Sequence, residues 1–147
     1  MNPTPAGGEN NLVVARYRNG EVVKGYTRDF FPDRASFHVL PKGGQVSIQV
    51  RTPELKGVFF VRDLVGNRLR NKGRRIAVLF EDGELLVGYA QTYSADRTGF
   101  FVFPADPYSN NLRVYVLRAA TKQVKLGPAA DELAATAPPP RQKPKAA

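Results

Sequence analysis

The sequence predicts an all-β protein that is a tandem duplication of one small, five-stranded antiparallel barrel. Three observations lead to this fold class. Apolar and polar residues alternate with a period of two, which is typical of half-buried strands. The alternating runs are separated by Asn-Gly and Asp-Gly pairs, which favour tight hairpin turns. An ungapped match at an offset of 63 relates residues 13–41 to residues 76–104, and nine of the 29 positions are identical, where unrelated segments share roughly two.

The first strand of each unit alternates most clearly. Its apolar positions are Val13, Ala15 and Tyr17 in the first unit and Ile76, Val78 and Phe80 in the second. The pairs Asn19-Gly20 and Asp82-Gly83 follow, and both tolerate the positive φ of a type I′ turn. The sequence therefore predicts a β-hairpin at the start of each unit.

The returning strands, residues 21–28 and 84–92, each contain an interior glycine, Gly25 or Gly88. An interior strand glycine costs stability unless the backbone bends or approaches another segment closely. Its recurrence predicts the corner of a barrel, whose closure would hide the sheet edges. The remaining strands are predicted at 36–40, 46–51 and 57–62 in the first unit and at 99–103, 112–117 and 122–126 in the second.

Five segments are predicted along the chain. A flexible N terminus (1–11) precedes the first barrel (12–62), a basic linker (63–74), the second barrel (75–127) and a basic, alanine- and proline-rich tail (128–147) that we expect to be disordered. Residues 1–11 lack the features of a signal peptide. No apolar run approaches the roughly 18 residues that a membrane span needs. We expect a cytoplasmic protein without a membrane partner.

Catalytic and metal-binding residues are not expected. The chain has no cysteine, and its one histidine, His38, has Phe101 as its counterpart in the second unit. A serine or cysteine nucleophile needs a partnering base, and no histidine or cysteine spacing suits zinc. The sequence therefore predicts a protein that is not an enzyme and that has no cofactor and no metal.

The most basic stretch of the chain lies where the two units join. Its five cations within residues 68–75 are Arg68, Arg70, Lys72, Arg74 and Arg75, and the net charge of the whole chain is +9. Such a segment can contact the phosphates of RNA or single-stranded DNA. A solvated linker without a ligand is the other interpretation.

Two strands are apolar on both faces and therefore need more than one partner. They contain Phe59 and Phe60 in the first unit and Phe101 and Phe103 in the second. One face of each strand fills its own barrel, so the other predicts a protein-interaction surface. The partner can be the other unit of the same chain, a second copy in a homo-oligomer, or a different protein.

Two runs resemble an uncharacterised bacterial domain family that occurs alone or joined to signalling domains. They are LKGVFFVRDLVGN at residues 55–67 and GFFVFPADPYSNN at 99–111, and the likeness covers residues 13–126. The resemblance implies a regulatory or signalling context. It assigns no activity.

The layout of each unit is also similar to the SH3-like and Sm-like barrels: a strand, a glycine turn, a bent strand and an acidic turn at Asp33 or Asp96. The Sm resemblance implies RNA binding by an oligomer, although Phe37 and Phe100 stand where that pattern has a base-contacting asparagine.

Arg70 and Arg74 resemble the Arg-x-x-x-Arg run of PilZ domains, which implies binding of cyclic di-GMP. Ser94 fits a position of the second PilZ motif, while Thr92 and Arg97 depart from it. The function predicted from the whole sequence is a binding module that engages RNA or single-stranded DNA through the basic linker. A protein-interaction scaffold and a cyclic di-GMP module are the alternatives.

Overall fold

A computed structural model of the protein describes residues 11–61, 73–106 and 109–136. These residues form a mostly β structure with large antiparallel ladders and one short helix. The elements are β1 (Asn11–Tyr17), β2 (Val22–Thr27), β3 (Ser36–Val39), β4 (Ile48–Arg51), β5 (Leu55–Val61), β6 (Arg74–Phe80), β7 (Leu85–Ala90), β8 (Gly99–Pro104), β9 (Asn111–Leu117), β10 (Thr121–Leu126) and α1 (Pro128–Thr136). Single 3₁₀ turns at Thr52–Glu54 and Arg118–Ala120 precede β5 and β10.

Eight strands form one sheet in the order β10-β6-β7-β8-β9-β5-β1-β2, and β3 and β4 form a second, two-stranded sheet. A bridge between Tyr26 and Leu40 connects β2 to the end of β3. Within the described residues no ladder closes either half, so the prediction of two closed barrels is wrong in this respect. Neither half closes, because β9, the fourth strand of the second half, pairs with β5, the fifth strand of the first half.

Each half begins with the predicted hairpin, but its turn is not the predicted type I′, because Asn19 and Asp82 do not have a positive φ and only the glycine after each of them does. β1 pairs with β2 so that Val13 faces Gly25, and β6 pairs with β7 so that Ile76 faces Gly88. The turn glycines Gly20 and Gly83 have φ values of +98° and +96°, which side chains rarely adopt. In the first turn the Asn19 side chain also accepts a hydrogen bond from the Glu21 amide at 2.9 Å. The Asn-Gly and Asp-Gly pairs therefore specify these two turns.

Equivalent hydrogen bonds occur in both halves, at an offset of 63 before the fourth strand and 66 from it onward. In each bond the backbone N–H of the first residue donates to the backbone carbonyl of the second, and each bond of the first half is followed by its equivalent in the second half. The bonds are Tyr17 to Glu21 and Phe80 to Glu84; Gly20 to Tyr17 and Gly83 to Phe80; Arg18 to Glu54 and Glu81 to Ala120; Thr52 to Ala35 and Arg118 to Thr98. The register between first and fifth strands also recurs, since Ala15 faces Val58 and Val78 faces Val124. The halves share strand order, register and turn hydrogen bonds.

The matched interior glycines lie in equivalent close contacts. A Cβ at Gly25 would be 2.2 Å from the Leu40 carbonyl oxygen, and one at Gly88 would be 2.2 Å from that of Phe103. Both contacts are with backbone atoms, which cannot rotate away. Each glycine is therefore required where its strand crosses the end of the third strand of its half.

Two apolar cores lie on opposite faces of the large sheet, and each contains residues of both halves. Alternate residues of a strand point to opposite faces, so Phe60 joins the first core and Phe59 the second. The first core is Val13, Ala15, Phe30, Phe37, Val39, Val50, Leu55, Val58, Phe60, Tyr115 and Leu117. The second is Val14, Phe59, Ile76, Val78, Phe80, Ala90, Phe100, Val102, Val114, Val116 and Ala120.

Lys56 adds a polar contact between the halves. Its side chain is only 11% exposed, and its Nζ donates to Asp82 Oδ2 at 2.8 Å and to Glu84 Oε1. The ammonium also lies 4.6 Å from the centre of the Phe80 ring. Partial burial raises the pKa of Asp82, but hydrogen bonds from Lys56 and the Glu84 amide together hold it below its ordinary value.

The segment after β10 differs from the expected disordered tail, because its first nine residues form α1. Pro128 is the first residue of this helix, where proline is tolerated, and alanine is the best helix former. The helix packs on β6 and β10, and Ala130 is fully buried. Residues 1–10, 62–72, 107–108 and 137–147 lie outside the described residues, and these ranges include most of the predicted linker and the rest of the tail.

Candidate functional site

The structure describes two of the five cations in the predicted anion-binding segment, Arg74 and Arg75 at the start of β6. The other three, Arg68, Arg70 and Lys72, lie outside the described residues. Arg74 is exposed and has no acidic partner among the described residues. It can therefore contact a phosphate without breaking an existing ion pair.

Arg75 has a structural role. Its Nε donates to Asp131 Oδ1 of α1 at 3.0 Å, and its Nη1 donates to the Tyr89 hydroxyl at 3.1 Å. The guanidinium also lies 5.6 Å from the centre of the Tyr89 ring. Arg75 therefore fixes α1 against the sheet, and it is less suited to a ligand than Arg74.

Unpaired charge on the described surface is mostly positive. Exposed ion pairs occur between Arg18 and Glu81 and between Arg51 and Glu54. The exposed cations without a carboxylate within 4.0 Å in the described ranges are Arg16, Lys24, Arg28, Arg34, Lys42, Arg74, Arg97, Lys122 and Lys125. The exposed acids without a cationic nitrogen within 4.0 Å in the described ranges are Glu21, Asp33, Asp96 and Glu132. Outside ion pairs, positive charge therefore exceeds negative charge on the described surface.

The four predicted interaction aromatics are largely accommodated inside the chain. Phe59 is 6% exposed and Phe60 is 3% exposed. Phe101 is half-buried against the first core, and its ring centre lies 6.1 Å from that of Phe60. Phe103 is half-buried and pairs in register with Tyr89. The apolar second faces of β5 and β8 are therefore covered mainly by the other half of the same chain.

A cation lies against two of these aromatic rings, those of Phe60 and Phe101. The Arg113 guanidinium lies 4.3 Å from the centre of the Phe60 ring and 5.3 Å from that of Phe101. Arg113 comes from β9 and pairs in register with Phe60 of β5. Burial of an arginine is tolerated where its planar group stacks on aromatic faces, so this contact belongs to the joint between the halves.

A cleft that the sequence did not predict lies between the acidic turns of the two halves. Its volume is about 550 Å³, and its lining is Phe31, Pro32, Asp33, Arg97, Thr98 and Tyr115. The cleft thus combines aromatic walls with one cation and one carboxylate. The only sequence signal for it was the Asp-Arg pair that recurs in both turns, at Asp33-Arg34 and Asp96-Arg97.

Tyr115 forms the buried wall of the cleft. Burial raises the pKa of its hydroxyl, and Asp33 raises it further, while a hydrogen bond with Thr98 and the charge of Arg97 act in the opposite direction. The Tyr115 ring packs edge-on against Phe30 and Phe101, with ring centres 5.4 and 5.0 Å apart. The net effect raises the pKa, so the hydroxyl is protonated at neutral pH and can donate a hydrogen bond to a ligand.

The turn on the other side of the cleft is held by Arg118. Its guanidinium donates to the carbonyls of Arg97 and Ser94, both at 3.0 Å, and to the Tyr93 hydroxyl at 3.1 Å. The Ser94 hydroxyl donates to Asp96. Ser94, which matched a PilZ position in the sequence, therefore has its polar groups engaged within the turn.

The single histidine is part of an exposed pair. His38 Nδ1 lies 2.8 Å from Asp29 Oδ2, and the His38 amide donates to Asp29 Oδ1 at 2.9 Å. Partial burial raises the pKa of Asp29, but these hydrogen bonds outweigh it and lower the pKa below its ordinary value. The pair orders the 29–38 turn of the first half.

The described residues contain no cluster of three or more histidine, cysteine or acidic side chains that could hold a metal ion. The same residues include no helix with the length and apolar character needed to cross a bilayer.

Comparison with known proteins identifies the chain at the level of a family. No curated protein and no solved structure matches it. Residues 9–127 match DUF6982, a family of unknown function. The chain therefore belongs to DUF6982, as its resemblance to an uncharacterised domain family predicted.

Proposed function

We propose that the chain is a duplicated five-stranded β unit that acts as a non-enzymatic binding module in the cytoplasm, and that its ligand is a single-stranded nucleic acid, RNA or DNA. The observation that carries the ligand class is the excess of exposed cations without acidic partners in the described residues. The recurrence of strand order, register and turn hydrogen bonds supports the duplication.

The proposed contacts are of two kinds. Arg68, Arg70, Lys72 and Arg74 contact phosphates, and the affinity they supply depends on salt because binding releases counterions. The half-buried Phe31 ring at the rim of the cleft offers a face on which a base can stack. Arg34 lies 4.8 Å from the centre of this ring, so a cation accompanies the stacking surface.

The test is fluorescence anisotropy of labelled single-stranded RNA and DNA, measured over a range of salt concentrations. The binding variant replaces Arg68, Arg70, Lys72 and Arg74 with glutamine and keeps Arg75, because Arg75 holds α1. If all four cations contact phosphates, the variant reduces the slope of log K against log salt by about 3, at about 0.7 for each contact on a single strand.

The control variant removes the same amount of positive charge elsewhere, by replacing Arg18, Lys42, Arg51 and Lys125 with glutamine. All four are exposed and lie outside the basic segment. It is expected to retain most of the affinity and nearly all of the slope. Binding that ignores salt, or that falls equally in both variants, contradicts the assignment to residues 68–74.

Cyclic di-GMP is a narrower anionic ligand for the same arginines. It requires Arg70 and Arg74 but not the rest of the segment, so Arg70→Gln and Arg74→Gln alone should abolish binding in isothermal titration calorimetry. The engagement of Ser94 within its own turn favours the single-stranded ligand over this one.

A further inference from the structure

β4 and β10 each have an edge without a neighbouring strand in the described residues, whereas the outer edges of β2 and β3 are joined by the bridge between Tyr26 and Leu40. β4 pairs only with β3, and β10 pairs only with β6. Unpaired backbone N–H and C=O groups along a strand are a template for pairing with another chain. The hydrogen bonds shared by the halves relate β4 to β9 and β10 to β5, at the offset of 66. The two free edges are thus the counterparts of two strands that pair with each other inside the chain.

The internal pair shows what such a contact looks like. β5 and β9 are antiparallel, with Gly57 facing Val116 and Phe59 facing Val114. Val58 and Val114 are both fully buried. This ladder continues the sheet from one half into the other. The fourth strand of a half can therefore pair with the fifth strand of a different half.

We propose that β10 of one copy pairs antiparallel with β4 of a second copy, in the register that β5 and β9 have within the chain. Subtracting or adding the offset of 66 places Gln123 opposite Val50 and Lys125 opposite Ile48 of the other copy. The contact is heterologous, because each copy presents a different edge to each neighbour. Association therefore continues beyond a dimer unless it closes.

The exposure of apolar side chains on β4 supports this pairing. Ile48 is 41% exposed, while its counterpart Val114 is fully buried. Val46, just before β4, is 77% exposed, while its counterpart Leu112 is half-buried. This difference in exposure arises because β9 has a strand on both sides, whereas β4 has a strand only on one side. The halves otherwise share their backbone arrangement.

Charges also match across the proposed contact. Inside the chain Lys56 binds Asp82 and Glu84. The counterpart of Lys56 is Lys122, and that of Glu84 is Glu21. Both are exposed, and neither has an ion pair in the described residues. The pairing brings Lys122 of one copy to Glu21 of the next.

Two substitutions make the contact between copies weaker than the internal one. Gln123 stands in the place of Gly57, where a Cβ would lie 2.9 Å from the Tyr115 carbonyl oxygen. Lys125 stands in the place of Phe59, and lysine on an edge strand weakens strand addition. The association is therefore reversible and depends on protein concentration.

The test is sedimentation velocity of the full chain between about 1 and about 200 µM, where mass action reveals weak association. The weight-average mass is expected to rise with concentration and to exceed that of a dimer. Ile48→Asp should keep the chain monomeric over this range. Val22→Asp is the matched control, because Val22 is similarly exposed (44%) but lies on β2, and it should associate like the wild type.

A charge exchange tests the identity of the partner strand. Lys122→Glu should weaken association by about tenfold, because it places like charges at the contact. Glu21→Lys added to Lys122→Glu should restore it. Circular dichroism, expected to be unchanged in these variants, shows that the fold is intact.

Three results would overturn the proposal. In the first, the wild-type chain stays monomeric at every concentration. In the second, the Ile48→Asp variant self-associates as strongly as the wild type. In the third case Ile48→Asp blocks association but Lys122→Glu does not, which would assign β4 to a symmetric contact with another β4.

Discussion

The substitution Gly25→Ala tests whether the close crossing of β2 and β3 holds the first half together. A Cβ at this position would lie 2.2 Å from the Leu40 carbonyl oxygen and 2.8 Å from the Pro41 Cα. The crossing segments must separate by about 1 Å to restore ordinary contact, and overpacking of this kind costs about 1–3 kcal/mol. The separation also breaks the two hydrogen bonds between Tyr26 and Leu40, of 2.8 and 2.9 Å, each worth about 1 kcal/mol.

The gain from stiffening the unfolded chain offsets only about 0.5 kcal/mol of this. The expected loss in the free energy of unfolding is therefore about 2.5–4.5 kcal/mol. Urea denaturation measures it, and hydrogen exchange should show lost protection at the amides of Tyr26 and Leu40. Gly88→Ala should behave alike, because its Cβ meets Phe103 at the same distance.

Gly20→Ala is the control for this substitution. Gly20 has a φ of +98° but no atom within 4 Å of an added Cβ, so only backbone strain of about 1–2 kcal/mol is expected. If Gly25→Ala is no more destabilising than Gly20→Ala, the reasoning from the close contact is wrong.

Three further predictions concern polar contacts. Lys56→Met should lower the free energy of unfolding, measured in urea, by about 1–2 kcal/mol, because it removes the contacts of a mostly buried ammonium with two carboxylates and an aromatic face. As a control, Lys122→Met removes an exposed lysine without an ion pair in the described residues and should change the free energy of unfolding of the monomer little. Asp29→Asn should destabilise the protein at pH 6 and progressively less as the pH falls below the ordinary aspartate value near 3.9, because a lowered pKa gives stability that is lost as the pH falls through the folded-state pKa. An effect that stays equal throughout this fall in pH would exclude this role. Arg118→Met should cost about 2 kcal/mol and expose the Arg97 turn to hydrogen exchange, because three acceptors lose their donor.

Local features of the fold could be predicted because each depends on neighbouring residues. The alternation in β1 and the Asn19-Gly20 and Asp82-Gly83 turns are properties of a few consecutive residues, and the structure places a strand and two hairpin turns there. The type I′ geometry is wrong, because only the glycine of each pair has a positive φ. The interior glycines Gly25 and Gly88 predict the corner of a barrel; no barrel closes in the described residues, but both glycines lie in close backbone contacts.

The pairing of β5 with β9 could not be predicted, because it joins segments about 55 residues apart. It also depends on whether β5 pairs with the fourth strand of its own half or with that of the other half. The apolar second face of β5 showed only that a partner was needed, and several partners fitted. The helix α1 was missed for a different reason. Proline and alanine were interpreted as features of a disordered tail, whereas Pro128 occupies the first helical position and Ala130 packs on the sheet.

The joint between the halves also explains why the candidate site was only partly predicted. The cleft needs Phe31 and Asp33 from one half and Arg97 and Tyr115 from the other. No spacing along the chain relates these residues until β9 lies beside β5. The same pairing buries Phe59 and Phe60 between the two halves, which is one of the partners that the sequence allowed for β5, while Ile48 on β4 stays exposed.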